Sequence, residues 1–245
     1  SIMAQSESVK RNIGYMSQKF SLYNDLTIGE NINFFGGVYG LEGEDLLKRK
    51  KWVLKIANLE GKEKLLTGSL PTGIKQRLAL GTAVIHSPTI VFLDEPTGGV
   101  DPIERRNFWN LINDLSAEGT TVFVTTHYLD EAEFCNRILL IDAGKIIAGG
   151  SPKELKEKYI TTIILEIECD KTIDALTLLE DSNYFDSTTI FGNYIHVKLK
   201  ENTREDEAKA IIHKLLSESN IKEKRTDKIS PTLEDVFITL LEKKD

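Results

Sequence analysis

Two short apolar runs, Ile90-Val91-Phe92-Leu93 and Thr121-Val122-Phe123-Val124-Thr125-Thr126, flank one amphipathic segment, and that arrangement leaves few folds open. The first, short and unbroken, suits a parallel strand buried on both faces, and the second, β-branched and apolar, reads as the next parallel strand. Between them Pro102 to Leu115 sets Phe108, Leu111, Ile112 and Leu115 at helical spacing, with Gly119 as the stop. Strand, crossover helix and strand form a βαβ unit, so an α/β fold with a parallel sheet is expected.

The first run ends in Asp94-Glu95-Pro96 and the second at His127. Open α/β sheets bind ligands outside the carboxyl ends of their strands, so these three side chains gather at the edge where chemistry is done. A lone strand-end aspartate suits Mg²⁺, which keeps several waters and takes one or two carboxylates plus substrate phosphates. Glu95 is then placed to polarise an attacking water and His127 to contact a terminal phosphate. Each residue has a structural alternative: Asp94 as a turn cap, Glu95 as a solvated acid, His127 as a packing histidine.

An ordered set of motifs decides between these. GYMSQ ending at Gln18, LPTGIKQRL at 70–78, IVFLDEPTGGVD at 90–101 and VTTH at 124–127 together resemble the ATP-binding subunits of ABC transporters, over residues 11–150. The resemblance implies ATP and Mg²⁺ as cofactors. It implies that Gln18 contacts Mg²⁺ and the membrane subunit, that Asp94 is the Walker B aspartate and a Mg²⁺ ligand, and that Glu95 is the catalytic glutamate. Asp101 corresponds to the D-loop aspartate, His127 to the switch histidine, and Leu70-Pro71-Thr72-Gly73-Ile74 to the LSGGQ-type signature. In the family the signature serine and glycines clasp the γ-phosphate of ATP held by a partner subunit; here Pro71 and Thr72 replace the serine and first glycine. Proline brings neither hydroxyl nor backbone N–H, so a weakened or asymmetric composite site is expected. The LPxG form also resembles the second ATPase half of duplicated bacterial exporters.

No G-x-x-x-x-G-K-[ST] phosphate loop occurs in the 245 residues, and too few residues precede Gln18 for the βαβ unit of roughly 30 that would carry one. A chain that opens at Ser1 without such a loop is expected to be a fragment of a longer reading frame, truncated before the glutamine, and to hydrolyse almost no ATP by itself.

Residues 1–152 are thus expected to form a partial P-loop NTPase domain with a helical subdomain at about 24–85 that meets a coupling helix of the membrane subunit. Thr27 and Glu30 stand at capping-box spacing at the start of one helix. A second spans Glu44 to Leu59, with Leu47, Val53, Leu54 and Ile56 inward and Lys48-Arg49-Lys50-Lys51 on a solvated face. Phe20, Tyr23 and Phe35 are candidate contacts or core residues. Beyond His127, residues 137–142 and 145–150 read as a hairpin and Ser151-Pro152 opens a short helix. Residues 153–245 follow a strand, helix, two strands around Gly192-Asn193, helix and strand, then a capped helix from Ser230: a small α+β accessory domain of ferredoxin-like type. It is regulatory, dimer-stabilising or a passive cover.

Bulk properties narrow the function classes. A formal net charge of −7 argues against nucleic acid as a partner. No apolar run approaches the roughly 18 residues of a membrane span, so the membrane part is expected in a transmembrane permease subunit, with this chain cytoplasmic and peripheral at the inner face of the membrane. Cys135 and Cys169 form no spaced metal motif, and no zinc site is expected. The expected function is the ATP-hydrolysing component of an ABC exporter, coupling dimerisation with a second ATPase domain, identical or not, to movement of the permease. Alternatives are a catalytically silent regulatory module and a cytosolic ABC ATPase outside transport.

Overall fold

The computed structural model describes residues 6–18 and 22–242, and contacts divide the chain into two compact units, Ser1–His127 and Tyr128–Asp245. In the first, α1 (Ser6–Arg11) leads into β1 (Ile13–Met16), and α2 (Ile28–Val38), α3 (Gly43–Ile56) and α4 (Thr72–Ala83) are inserted before β2 (Ile90–Asp94). Helix α5 (Pro102–Ala117) then crosses to β3 (Thr121–Thr125). The strands are parallel in the order β1-β2-β3, with Met16 opposite Leu93 and Asp94 opposite Thr125. Asp101 caps α5 by accepting from the backbone N–H groups of Ile103 and Glu104, Pro102 occupies the first turn, and Phe108, Trp109, Ile112 and Leu115 are buried. Gly119, at φ 99, ends the helix where a side chain would be strained.

One expectation fails. The β2 run is not buried on both faces: Val91 and Leu93 are buried, but Ile90 and Phe92 are each 37% exposed, and Tyr15 and Phe123 beside them are 56% and 50% exposed. One face of this parallel sheet is packed and the other is bare. Close approach of α4 explains the packed face, because a Cβ on Gly14 of β1 would lie 2.5 Å from the Ala83 carbonyl oxygen.

The helical insertion forms as expected at its first helix, where Thr27 and Glu30 cap one another's backbone; these bonds hold the Glu30 carboxyl below its ordinary range. Two details of α3 differ from expectation. Leu46, against Gly36, turns inward while Leu47 is exposed. Nor is the basic run wholly solvated: Arg49 Nε and Nη2 donate to the carbonyls of Ile85 and Val84 at 2.6 and 2.8 Å, and Lys50 Nζ donates to Asn33 Oδ1 at 3.0 Å. Their long stems carry charge inward to polar partners that helical periodicity does not register. Tyr23 and Phe34 meet edge to face at 5.0 Å between ring centroids. Phe20 lies outside the described residues.

The second unit begins with α6 (Leu129–Ala132) and a hairpin of β4 (Ile138–Asp142) and β5 (Lys145–Gly150), whose turn puts Ala143 and Gly144 at φ 47 and 75, the two positive angles of a type I′ turn. Helix α7 (Pro152–Tyr159) follows, then β6 (Ile164–Cys169), α8 (Thr172–Asp181), β7 (Ser187–Phe191), β8 (Tyr194–Lys198), α9 (Glu205–Glu218), β9 (Glu223–Ile229) and α10 (Leu233–Glu242). The last four strands form an antiparallel sheet ordered β7-β8-β6-β9, the βαββαβ topology expected. Leu165, Ile167, Ile195 and Val197 join Ala208, Ile212 and Leu216 of α9 in one core. Fully burying each large aliphatic chain stabilises by about 1.5–3 kcal/mol. A second core joins Leu140 and Ala148 of the hairpin, Leu155 of α7, and Leu233 and Val236 of α10. By contacts, therefore, the hairpin and α7 go with the C-terminal part, whereas the sequence division falls at 152/153.

Candidate active site

The loop after β1, the end of β2 and the end of β3 meet around one carboxylate. Gln18 Nε2 donates to Glu95 Oε2 at 2.6 Å, and His127 Nδ1 lies 3.2 Å from Glu95 Oε1, so both carboxylate oxygens have a partner from another strand. The histidine side chain is 57% exposed and that of Glu95 30%, so the carboxylate is neither sequestered nor freely solvated. Parallel register sets Asp94 directly opposite Thr125, whose Oγ1 donates to Asp94 Oδ1 at 2.6 Å. The Thr125 carbonyl accepts the Glu95 N–H at 3.0 Å, which carries the chain out of β2 with Glu95 at φ 44. A non-glycine residue held there is in the left-handed region, a conformation that costs of order 1–3 kcal/mol and is concentrated at functional sites.

The structure brings Gln18, Asp94, Glu95 and His127 together. The remaining sequence candidates sit at two helix starts. Pro71 is the N-cap of α4 without a side-chain cap bond, Leu70 precedes it, and Pro71 and Thr72 are exposed. Gly73 is buried against α5, where a Cβ would come within 2.9 Å of Glu104 Cβ. Asp101 caps α5, and Glu104 one turn along pairs with Arg77 of α4. Asp101 therefore has a structural task as well as its D-loop correspondence. Thr125, Arg77 and Glu104 escaped the sequence reading; for Thr125 the only available signal was its place opposite Asp94 at a strand end.

The donor chemistry fits Mg²⁺. Asp94 offers a hard carboxylate, and because the Gln18 amide nitrogen is committed to Glu95, its oxygen is the end suited to a cation. Among the described residues no cluster of three or more His, Cys, Asp or Glu could hold a metal by itself.

A parallel α/β sheet with a helical insertion, carrying Gln, Asp, Glu and His at its strand ends, is the architecture of ATP-binding subunits. Solved relatives of this fold include an ATP binding subunit of an ABC transporter (TM-score 0.57, 24% identity, 64% of this chain and 66% of that one). Another is cbiO1 from Clostridium perfringens, part of the ABC transporter complex cbiONQ (TM-score 0.56, 27% identity, 62% of each chain). Residues 2–98 match the ABC transporter family, and residues 150–241 match the C-terminal domain of DrrA1-3-like ATP-binding proteins. The chain thus carries an ABC transporter ATP-binding domain followed by a DrrA-like C-terminal domain.

Among curated relatives, the probable multidrug ABC transporter ATP-binding protein YbhF of Escherichia coli K12 is 49% identical over 151 residues, 62% of this chain and 26% of that protein. The Nod factor export ATP-binding protein I of Cupriavidus metallidurans is 32% identical over 194 residues, 78% of this chain and 64% of that protein. The chain thus spans between about a quarter and under two thirds of these relatives' length. Among the described residues no helix is long and apolar enough to cross a membrane.

Proposed function

We propose that the chain is the ATP-binding and ATP-hydrolysing component of an ABC exporter, working peripherally at the cytoplasmic face of a membrane with a permease subunit and a second ATPase domain. The observation that carries the proposal is the convergence of Gln18 and His127 on the two oxygens of Glu95. Glu95 would accept the proton of the attacking water. His127, bonded to one oxygen, would orient the carboxylate and follow the position of the terminal phosphate. Gln18 would hold the other oxygen and join Asp94 around the cation, with Thr125 fixing the rotamer of Asp94. Bound Mg²⁺ and ATP would supply the transferable phosphoryl group and the charge that neutralises it.

Leu70-Pro71-Thr72-Gly73 and Asp101 would face the partner ATPase, and with no phosphate-loop motif in these 245 residues the main grip on the phosphates would come from outside them. The relatives' export of multidrug or Nod factor cargo supports the exporter class and leaves this protein's cargo open. In this scheme residues 1–152 do the chemistry and 153–245 are accessory.

The test is ATP turnover by the complete transporter carrying Glu95→Gln. Removing a general base costs about 10²–10⁴-fold in rate. Turnover within a factor of two of the parent would exclude Glu95 as the base. His127→Ala is expected to lower turnover with a smaller effect on nucleotide affinity.

A further inference from the structure

Helices α6 and α10 and the outer strand β7 enclose an open cavity of about 360 Å³ in the second unit. Leu129 of α6, Ile190 and Phe191 of β7, and Phe237 and Ile238 of α10 form its walls, so the lining is mainly apolar and holds two aromatic rings. Phe191 is fixed by stacking on His196, with ring centroids 3.9 Å apart. Gly192 of the β7-β8 turn also lines the cavity, and a Cβ there would meet nothing within 4 Å, so this side is open. A concave, mostly apolar site of this size suits a small organic molecule.

Among the described residues one charged side chain lines it, Glu234 in the first turn of α10. Burial, with Asp130 and Asp235 close by, pushes this carboxyl above the ordinary carboxylate range. Of the groups acting on Glu234 only His196 favours its charged form, and that ring already stands 3.0 Å from Asp235 and 3.5 Å from Glu166. Asp235 is committed in its turn to the N–H and hydroxyl of Thr232. Glu234 therefore has the Coulombic environment that a positive group in the cavity would relieve. Two aromatic rings in the same walls favour a cation as well. An anion would meet three carboxylates, and a neutral molecule would leave Glu234 as it is.

We propose that this cavity binds an organic cation with an apolar body, the positive head pairing with Glu234 and the body lying against Phe191 and Phe237. The two halves of such a ligand answer the two halves of the site: the body removes apolar wall from water, and the head supplies the charge that the wall lacks. Binding also bridges α6, β7 and α10. Leu233 and Val236 of α10 share a core with the hairpin and α7, so a ligand that fastens α10 stabilises that core by mass action.

The test is calorimetric titration of the 245-residue chain at neutral pH with three probes that share a phenylbutyl body: phenylbutylamine, phenylbutanol and phenylbutyrate. The amine is expected to bind about tenfold more tightly than the alcohol, with the acid weakest. Amide hydrogen exchange with the amine bound should slow over β7 and α10, residues 187–191 and 233–242. Glu234→Gln should bring the amine down to the affinity of the alcohol and leave the alcohol unchanged. No binding of the amine, equal affinity for amine and alcohol, a preference that survives Glu234→Gln, or slowed exchange only outside these two elements each overturns the site.

Discussion

Pro71 gives up two donors at once, a hydroxyl and an N–H, at the head of the helix that in the family meets a partner's nucleotide, and nothing nearby replaces the side-chain cap. A hydrogen bond to a charged group is worth about 1.5–3 kcal/mol. Pro71→Ser with Thr72→Gly in the complete transporter is therefore expected to raise ATP turnover by about ten- to a hundredfold. An unchanged rate at saturating ATP means that the composite site does not depend on these donors. A serine cap also stabilises the helix by about 1 kcal/mol, so the melting temperature should be followed alongside. At this scale the sequence was legible where residue type and strand end coincide: the strand ends alone are enough to gather Asp94, Glu95 and His127 at one edge. The bond from Gln18 to Glu95 is not legible in that way, because it joins positions 77 residues apart and no local spacing encodes it. Thr125 was hidden for a different reason. A threonine in a strand is what β-propensity asks for, so its bond to Asp94 left no mark on the pattern.

Helix α4 is held at its far end by one side chain. Arg49 of α3 donates to the carbonyls of Val84 and Ile85 just past α4, the first of which also accepts from the Ser87 N–H, and its guanidinium lies 4.1 Å over the Trp52 ring. Arg49→Met is expected to destabilise the chain by about 2–3 kcal/mol, read from urea unfolding. Arg49→Lys should recover only part of this, since an ammonium cannot span two carbonyls as the planar fork does. A change under about 0.5 kcal/mol for Arg49→Met would show the clamp to be ornamental. Elements themselves were read well from sequence where helix starts are marked chemically, as by Thr27 with Glu30 and by Ser151-Pro152. Faces were read less well. Periodicity sorts side chains by polarity, which sent Arg49 and Lys50 outward and Leu47 inward, whereas reach and local packing decided otherwise.

At the scale of the chain as a whole, one face of the parallel sheet is exposed and apolar, lined by Tyr15, Ile90, Phe92 and Phe123. Parallel sheets are otherwise covered on both faces, and exposed patches of this kind favour association. The isolated chain is expected to self-associate, and Phe92→Ser with Phe123→Ser should shift it towards monomer by light scattering; equal association would locate the sticky surface elsewhere. The unbroken apolar run of β2 announced that both faces are apolar, but a sequence cannot say which of them a neighbour will cover. The turn at Glu95 has one more consequence. Glycine would relieve about 1–2 kcal/mol of left-handed strain there, against an entropy cost of roughly 0.5–1 kcal/mol. Laboratory evolution for heat tolerance alone would thus be drawn to Glu95→Gly, and under the role proposed for Glu95 heat tolerance and turnover are opposed demands on a single codon.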